Sequence, residues 1–117
     1  MDLVLHAHDH EGTTVLLVAG EVDMATVPQL RTRVVQLVTA TNAPVVLDLG
    51  GVTLLDSIGL GVLVGAAARA ESLGRRLVMV CPEGPTRELL VRTRLDTVLP
   101  LANDLTTALH DLGGTRG

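Results

Sequence analysis

Apolar and polar positions alternate at the start of the chain. Leu3, Leu5 and Ala7 step against Val4, His6 and His8, the period of a strand with one buried face. His10, Glu11 and Gly12 supply a turn. The run from Thr13 to Gly20 is nearly all apolar and β-branched, as in a strand buried on both faces. Together the two segments predict a hairpin.

The pattern then changes period. After a polar Gly20-Glu21-Val22-Asp23 loop, Thr26 and Gln29 fit a capping box with Pro28 in the first turn. Val27, Leu30, Val34 and Leu37 recur at three- and four-residue steps and form one apolar stripe, with Arg31, Arg33 and Gln36 pointing away. Asn42 and Pro44 end this helix. Val45 to Leu49 follows as a buried strand, then a loop, a helix from about Ser57 to Leu73 closed by Gly74, and a strand from Leu77 to Cys81. A helix starts after Gly84-Pro85. A short strand around Thr97 to Leu99 and a last helix from about Asp104 to Leu112, capped by Asn103, complete an α/β rhythm. Parallel strands need crossover helices, so the strands from Val15 onward should form a mainly parallel sheet with the first strand as an antiparallel edge and about four helices on its faces.

With 117 residues the chain holds one domain, with a core over about 3–112 and a flexible tail at 113–117. No repeat or linker divides it. The apolar share is 47% without a single Phe, Tyr or Trp, so Val, Leu, Ile, Ala and Met must fill the core by shape alone. The net charge is −4. An acidic chain without aromatic platforms is not expected to bind nucleic acid. The lone Cys81 cannot form an intramolecular disulfide, and the chain opens without a basic, then apolar, leader pattern, so the expected address is the cytoplasm. Apolar runs such as Val15 to Ala19 fall far short of the roughly 20 residues that cross a bilayer, so no membrane insertion is expected.

The stretch richest in candidate chemistry runs from Val45 to Gly61, where a helix opens on Asp56-Ser57. By local chemistry Ser57 reads as a helix N-cap, a role that contributes about 1 kcal/mol. Gly59, Gly61 and Gly65 lie in the helix that follows, and an interior glycine costs roughly 0.8–1 kcal/mol relative to alanine. Such a cost points to close packing or docking against another backbone. The same glycines imitate a dinucleotide-binding fingerprint but lie inside the helix, well past the Val45 to Leu49 strand, and no Gly-Lys-Ser/Thr phosphate loop exists. His6, His8, His10 and His110 are the only histidines, and none stands in a Gly-x-Ser-x-Gly context, so nothing marks Ser57 as a catalytic nucleophile. His6, His8 and His10 share a strand face, where two of them could in principle hold a metal, but such a stripe is more often the wet side of an edge strand near a turn, and no metal site is assigned. Cys81 reads as buried and inert.

Several of these segments together resemble a family: Gly20-Glu21-Val22-Asp23, Leu30 on the first helix, Val45-Val46-Leu47-Asp48-Leu49, and Asp56-Ser57-Ile58-Gly59-Leu60-Gly61-Val62-Leu63. The chain is similar to the STAS domain of bacterial anti-sigma factor antagonists, from about Leu3 to Leu112. The resemblance implies a STAS-like fold, no enzymatic activity and no cofactor. It aligns Ser57 with the serine that the family's partner kinase phosphorylates, Asp56 with the acidic residue before it, and Glu21 and Asp23 with a loop near that serine. Many relatives carry a second hydroxyl residue where this chain has Ile58, so Ser57 is the only hydroxyl in the motif.

The implied mechanism is partner switching in transcription regulation. Unmodified protein binds an anti-sigma factor that is itself a serine kinase and frees a sigma factor; phosphorylation of Ser57 ends the complex, and a phosphatase is a further expected partner. The implied partner-binding residues are Glu21, Asp23, Asp56, Ser57, Ile58, Gly59, Leu60 and Gly61. The expected state is a monomer or weak dimer. Two other readings stand beside this one: a STAS subunit that binds a partner protein of a membrane transport complex, and a weak nucleotide-binding enzyme, which the missing base and phosphate loop disfavour.

Overall fold

The computed structural model describes residues 2–40 and 42–114. Five strands form one sheet in the order β1-β2-β3-β4-β5: β1 Leu3–His10, β2 Thr13–Val22, β3 Val45–Leu55, β4 Leu77–Val80 and β5 Leu101–Ala102. β1 pairs antiparallel with β2, and every later pair is parallel. The expected hairpin turns on Glu11 and Gly12, and β1 is an edge strand, as the alternation at the start of the chain requires. The helices are α1 Val27–Ala40, α2 Ser57–Ser72, α3 Pro85–Arg92 and α4 Leu105–Gly114.

One face of the sheet is covered by α1 and α2 with α3 beside them. Val27, Leu30, Val34 and Val38 of α1, Val62, Leu63, Ala66 and Ala70 of α2, and Leu90 of α3 join Leu16, Val18, Leu47, Leu49 and Met79 in the main core. On the other face, Ala108 and Leu112 of α4 cover Val15, Val46, Val78, Val80 and Ala102. Aliphatic side chains, joined in the main core by Met79 and Cys81, fill both layers without an aromatic ring.

Several boundaries differ from those the sequence predicts, each for a local reason. β3 does not stop at Leu49; it runs to Leu55 through Gly50 and Gly51, and Glu21 and Val22 lie in β2 instead of a loop. A Cβ on Gly51 would stand 2.9 Å from the Ala19 Cβ and 3.2 Å from the Val18 carbonyl oxygen, so glycine is what lets β2 and β3 stay paired across their register shifts. The Thr26–Gln29 capping box does not form. The Thr26 hydroxyl donates to the Glu21 carbonyl at 2.8 Å, and the Gln29 amide donates to the Leu3 carbonyl at 3.3 Å. Leu95–Thr97 is a single 3-10 turn, so the fifth strand lies at Leu101–Ala102 and not at Thr97 to Leu99. Asp104, not Asn103, caps α4 by accepting the Thr107 amide at 2.7 Å. That helix continues through Gly113 and Gly114, so only residues 115–117 of the expected tail lie outside the described residues.

Helix α2 closes near the expected position. The Gly74 amide donates to the Glu71 carbonyl at 3.1 Å and the Arg75 amide to the Ala70 carbonyl at 2.8 Å, the paired bonds of a Schellman end. With that end capped and β3 feeding its start, α2 packs beside α1 on the sheet.

Candidate functional site

β2 and β3 end side by side, with Val22 opposite Leu55. The next residue, Asp56, donates its amide to the Val22 carbonyl at 3.2 Å, which ties the start of α2 to the last residue of β2. Its side chain turns into the helix, and Oδ1 accepts the Gly59 amide at 2.9 Å. Asp56 is therefore the N-cap, and the reading of Ser57 as the cap is corrected: Ser57 is the first helical residue. A carboxylate already fills the capping role. The Ser57 hydroxyl is left exposed at the helix N-terminus with no capping duty of its own.

The four amides at the start of a helix lack intrahelical acceptors. Here the Asp56 amide goes to Val22 and the Gly59 amide to the Asp56 carboxylate. The amides of Ser57 and Ile58 remain at the exposed first turn, where the helix dipole favours negative charge. The dipole and these two amides favour an anion at this turn, while the Asp56 carboxylate already places one negative charge beside it.

Gly59 is packed beneath this turn. A Cβ there would stand 2.6 Å from Leu55 Cδ1, 2.8 Å from Val22 Cγ1 and 3.2 Å from the Val22 carbonyl oxygen, so the helix meets the strand ends at a distance only glycine permits. Because β3 runs to Leu55, α2 opens directly after a strand, contrary to the loop expected there. The glycine pattern still makes no phosphate cradle, since Gly59 faces the sheet and Gly61 and Gly65 lie along the body of the helix.

The 21–26 segment stands beside these residues because Glu21 pairs with Leu54. Asp23 Oδ1 accepts the amides of Ala25 at 2.9 Å and Thr26 at 3.1 Å, and the Asp23 amide donates to Thr26 Oγ1 at 3.0 Å. One carboxylate oxygen of Asp23 therefore shapes its own turn. Of the expected partner-binding residues, Ser57, Ile58 and Gly61 are exposed and Glu21, Asp23 and Asp56 are half-buried. Gly59 is buried, and Leu60 packs against the main core.

Two exposed apolar residues in these same segments escaped sequence reasoning. Met24 is 72% exposed and Leu54 46%, alongside Ile58 at 41%. Met24 was legible as an apolar residue in a polar turn; Leu54 was hidden by reading 50–56 as a loop. Gly61 and Gly65 line a cleft of about 150 Å³ between α1 and α2, flanked by Arg31 and Arg69.

Elsewhere the chemistry is structural. Cys81 is buried, and burial pushes its thiol up from the ordinary value, opposed in part by the nearby Arg87 guanidinium. Arg87 donates to the Cys81 carbonyl at 2.6 Å. A wider cleft of about 530 Å³ lies at the start of β4, but its cations are engaged: Arg75 donates to the carbonyls of Val38 and Leu73, and Arg76 to that of Leu112. Among the described residues no three or more His, Cys, Asp or Glu side chains gather as a metal site, and no helix is long and apolar enough to cross a membrane.

Comparison with known proteins sets this site in context. The family model for the STAS domain matches residues 5–108. The chain belongs to the STAS domain family. A STAS relative, the anti-sigma-F factor antagonist RsfB of Mycobacterium tuberculosis, is 32% identical over 110 residues, covering 92% of this chain and 88% of that protein. The crystal structure of an anti-sigma factor antagonist from Mycobacterium paratuberculosis superposes with a TM-score of 0.84 at 33% identity, covering 94% and 93% of the two chains. The Bacillus cell fate determinant SpoIIAA in its phosphorylated form shares the STAS fold at a TM-score of 0.67 and 19% identity, covering 93% of this chain and 99% of that one. These antagonists are regulatory binding proteins and not enzymes.

Proposed function

We propose that this STAS protein is an anti-sigma factor antagonist that docks an anti-sigma factor serine kinase through the Ser57 face and is switched off by phosphorylation of Ser57. The observation that carries the reading is the division of labour between neighbours. Asp56 supplies the helix cap, which leaves the Ser57 hydroxyl exposed and uncommitted. The exposed apolar residues Met24, Leu54 and Ile58 come from the same strand ends and first helical turn, and they suit a protein partner better than a small substrate. The relatives named as anti-sigma factor antagonists and the phosphorylated form of SpoIIAA support the same reading.

Phosphate on Ser57 adds roughly −1.5 to −2 charges. The helix N-terminus accommodates that charge within the fold, while a partner surface packed on Ile58 and Leu54 meets new bulk, a hydration shell and repulsion from its own acidic groups. The switch then acts on docking without refolding the domain. Its setting is the cytoplasm, where sigma factors act on transcription.

The test uses candidate anti-sigma kinases with ATP and purified protein, locating phosphate by mass spectrometry and measuring kinase binding of Ser57→Ala and Ser57→Asp. The expected outcome is phosphate on Ser57 alone, with the aspartate variant at least about tenfold weaker than the alanine variant, equivalent to about 1.4 kcal/mol. Equal affinities, or phosphate at another residue, would sink the reading.

A further inference from the structure

The sheet face that carries α4 is only partly roofed. Register places His6 opposite Leu17 and His8 opposite Val15, and Val15 is one of the residues that α4 covers. His6 and His8 therefore lie on the α4 face, on the outer strand, where Val4 and Leu17 are exposed as well. The two imidazoles stand with their centroids 6.2 Å apart and their planes 29° from parallel.

We propose that His6 and His8 form a two-imidazole chelating site for a nitrogen-seeking divalent ion of the first transition row, copper(II) ahead of nickel(II) and zinc(II). This inference is independent of the partner-switching reading. Copper(II) favours tetragonal coordination, and two cis imidazole nitrogens at about 2 Å from it set the ring centroids roughly 4.5 Å apart. The observed 6.2 Å closes to that value by rotation of an exposed and a half-exposed side chain, without moving the backbone. The strand supplies the preorganisation. Two residues apart on one pleated face, the side chains project in the same direction, and antiparallel pairing with β2 fixes the backbone between them.

The surroundings define the rest of the coordination sphere. His10 follows on the same face, but its Nε2 pairs with Glu11 at 3.4 Å. Asp48 lies beyond Leu17 on β3, and its Oδ1 accepts the Gly50 amide at 2.9 Å. Two imidazoles with water in the remaining positions give a site of modest strength. Its preference follows the general order of affinity in which copper(II) exceeds nickel(II) and zinc(II), and hard ions such as magnesium are not retained.

The test is a copper(II) titration of the untagged full chain near neutral pH, read by electron paramagnetic resonance, with nickel(II) broadening of backbone amide signals as the second measurement. Expected are a saturable one-to-one signal with nitrogen donors, broadening centred on residues 4–10 and their β2 partners 13–19, and loss of both in His6→Ala and in His8→Gln. His10→Ala and His110→Ala keep them. Retention of the signal in His6→Ala and His8→Gln variants that far-UV circular dichroism shows to be folded, or broadening centred elsewhere on the chain, would overturn the proposal.

Discussion

Gly59 and Val22 meet closely enough that a Cβ on residue 59 would lie 2.8 Å from Val22 Cγ1 and 3.2 Å from the Val22 carbonyl oxygen. This contact joins the first turn of the Ser57 helix to the end of β2. Alanine at 59 gains helix propensity of about 1 kcal/mol. It also forces the helix away from a backbone oxygen, and overpacking of that kind costs typically 1–3 kcal/mol. Gly59→Ala is therefore expected to lower stability by about 1 kcal/mol net and to displace Ser57. Urea unfolding followed by circular dichroism measures the first effect, since the chain has no aromatic residue to report it.

Gly61 and Gly65 predict the opposite sign. A Cβ at either position would find nothing within 4 Å, so the fold itself gives no packing reason for glycine there. Gly61→Ala and Gly65→Ala should each raise stability by roughly 0.5–1 kcal/mol, seen as a higher urea midpoint at constant m-value. If the α1–α2 cleft belongs to the docking face, the same variants bind the kinase more weakly while being more stable. Weaker binding together with greater stability separates a contact role from a structural one.

Asp56 holds the helix start through one side-chain bond to Gly59. Asp56→Ala removes that acceptor and is expected to cost about 1 kcal/mol, whereas Asp56→Asn keeps a good capping oxygen and most of the stability. A kinase that needs the negative charge beside Ser57 will phosphorylate the asparagine variant poorly although it is folded. A pair of measurements, urea midpoint and phosphorylation rate, reads both roles.

Much of this architecture is written in periodicity. The alternation at Leu3 to His8, the apolar stripe of α1 and the strand-helix rhythm after Val45 each correspond to an element observed. The failures share one cause: polar, glycine or hydroxyl residues read as local breaks were absorbed by tertiary partners. Gly50 and Gly51 look like a loop in isolation, yet the pairing of Gly51 with Ala19 carries β3 past a register shift at Gly50. Thr26 looks like a cap, yet its hydroxyl is drawn to the Glu21 carbonyl. At the site, sequence located Ser57 but not its neighbour's role, because whether Asp56 or Ser57 caps α2 depends on where β3 delivers the chain. Met24 is legible as a lone apolar residue in a polar turn, whereas Leu54 is hidden as long as 50–56 reads as a loop and not as the end of β3.

The start of α4 gives a prediction with a defined sign in pH. The Asp104 carboxyl is held below its ordinary value chiefly by the Thr107 backbone amide and then by the Thr107 side chain, with a small opposing effect of desolvation. A carboxyl depressed in the folded state stabilises the fold fully above its unfolded value, and that contribution is lost as pH falls through the folded value. Asp104 is exposed, so solvent screening keeps the effect small. Asp104→Asn retains an N-cap oxygen but cannot titrate. Melting temperatures of the two proteins are thus expected to differ at neutral pH and to converge as pH drops below the ordinary carboxylate range. A difference between them that stays constant across that range would show that the carboxylate's charge has no part in holding α4.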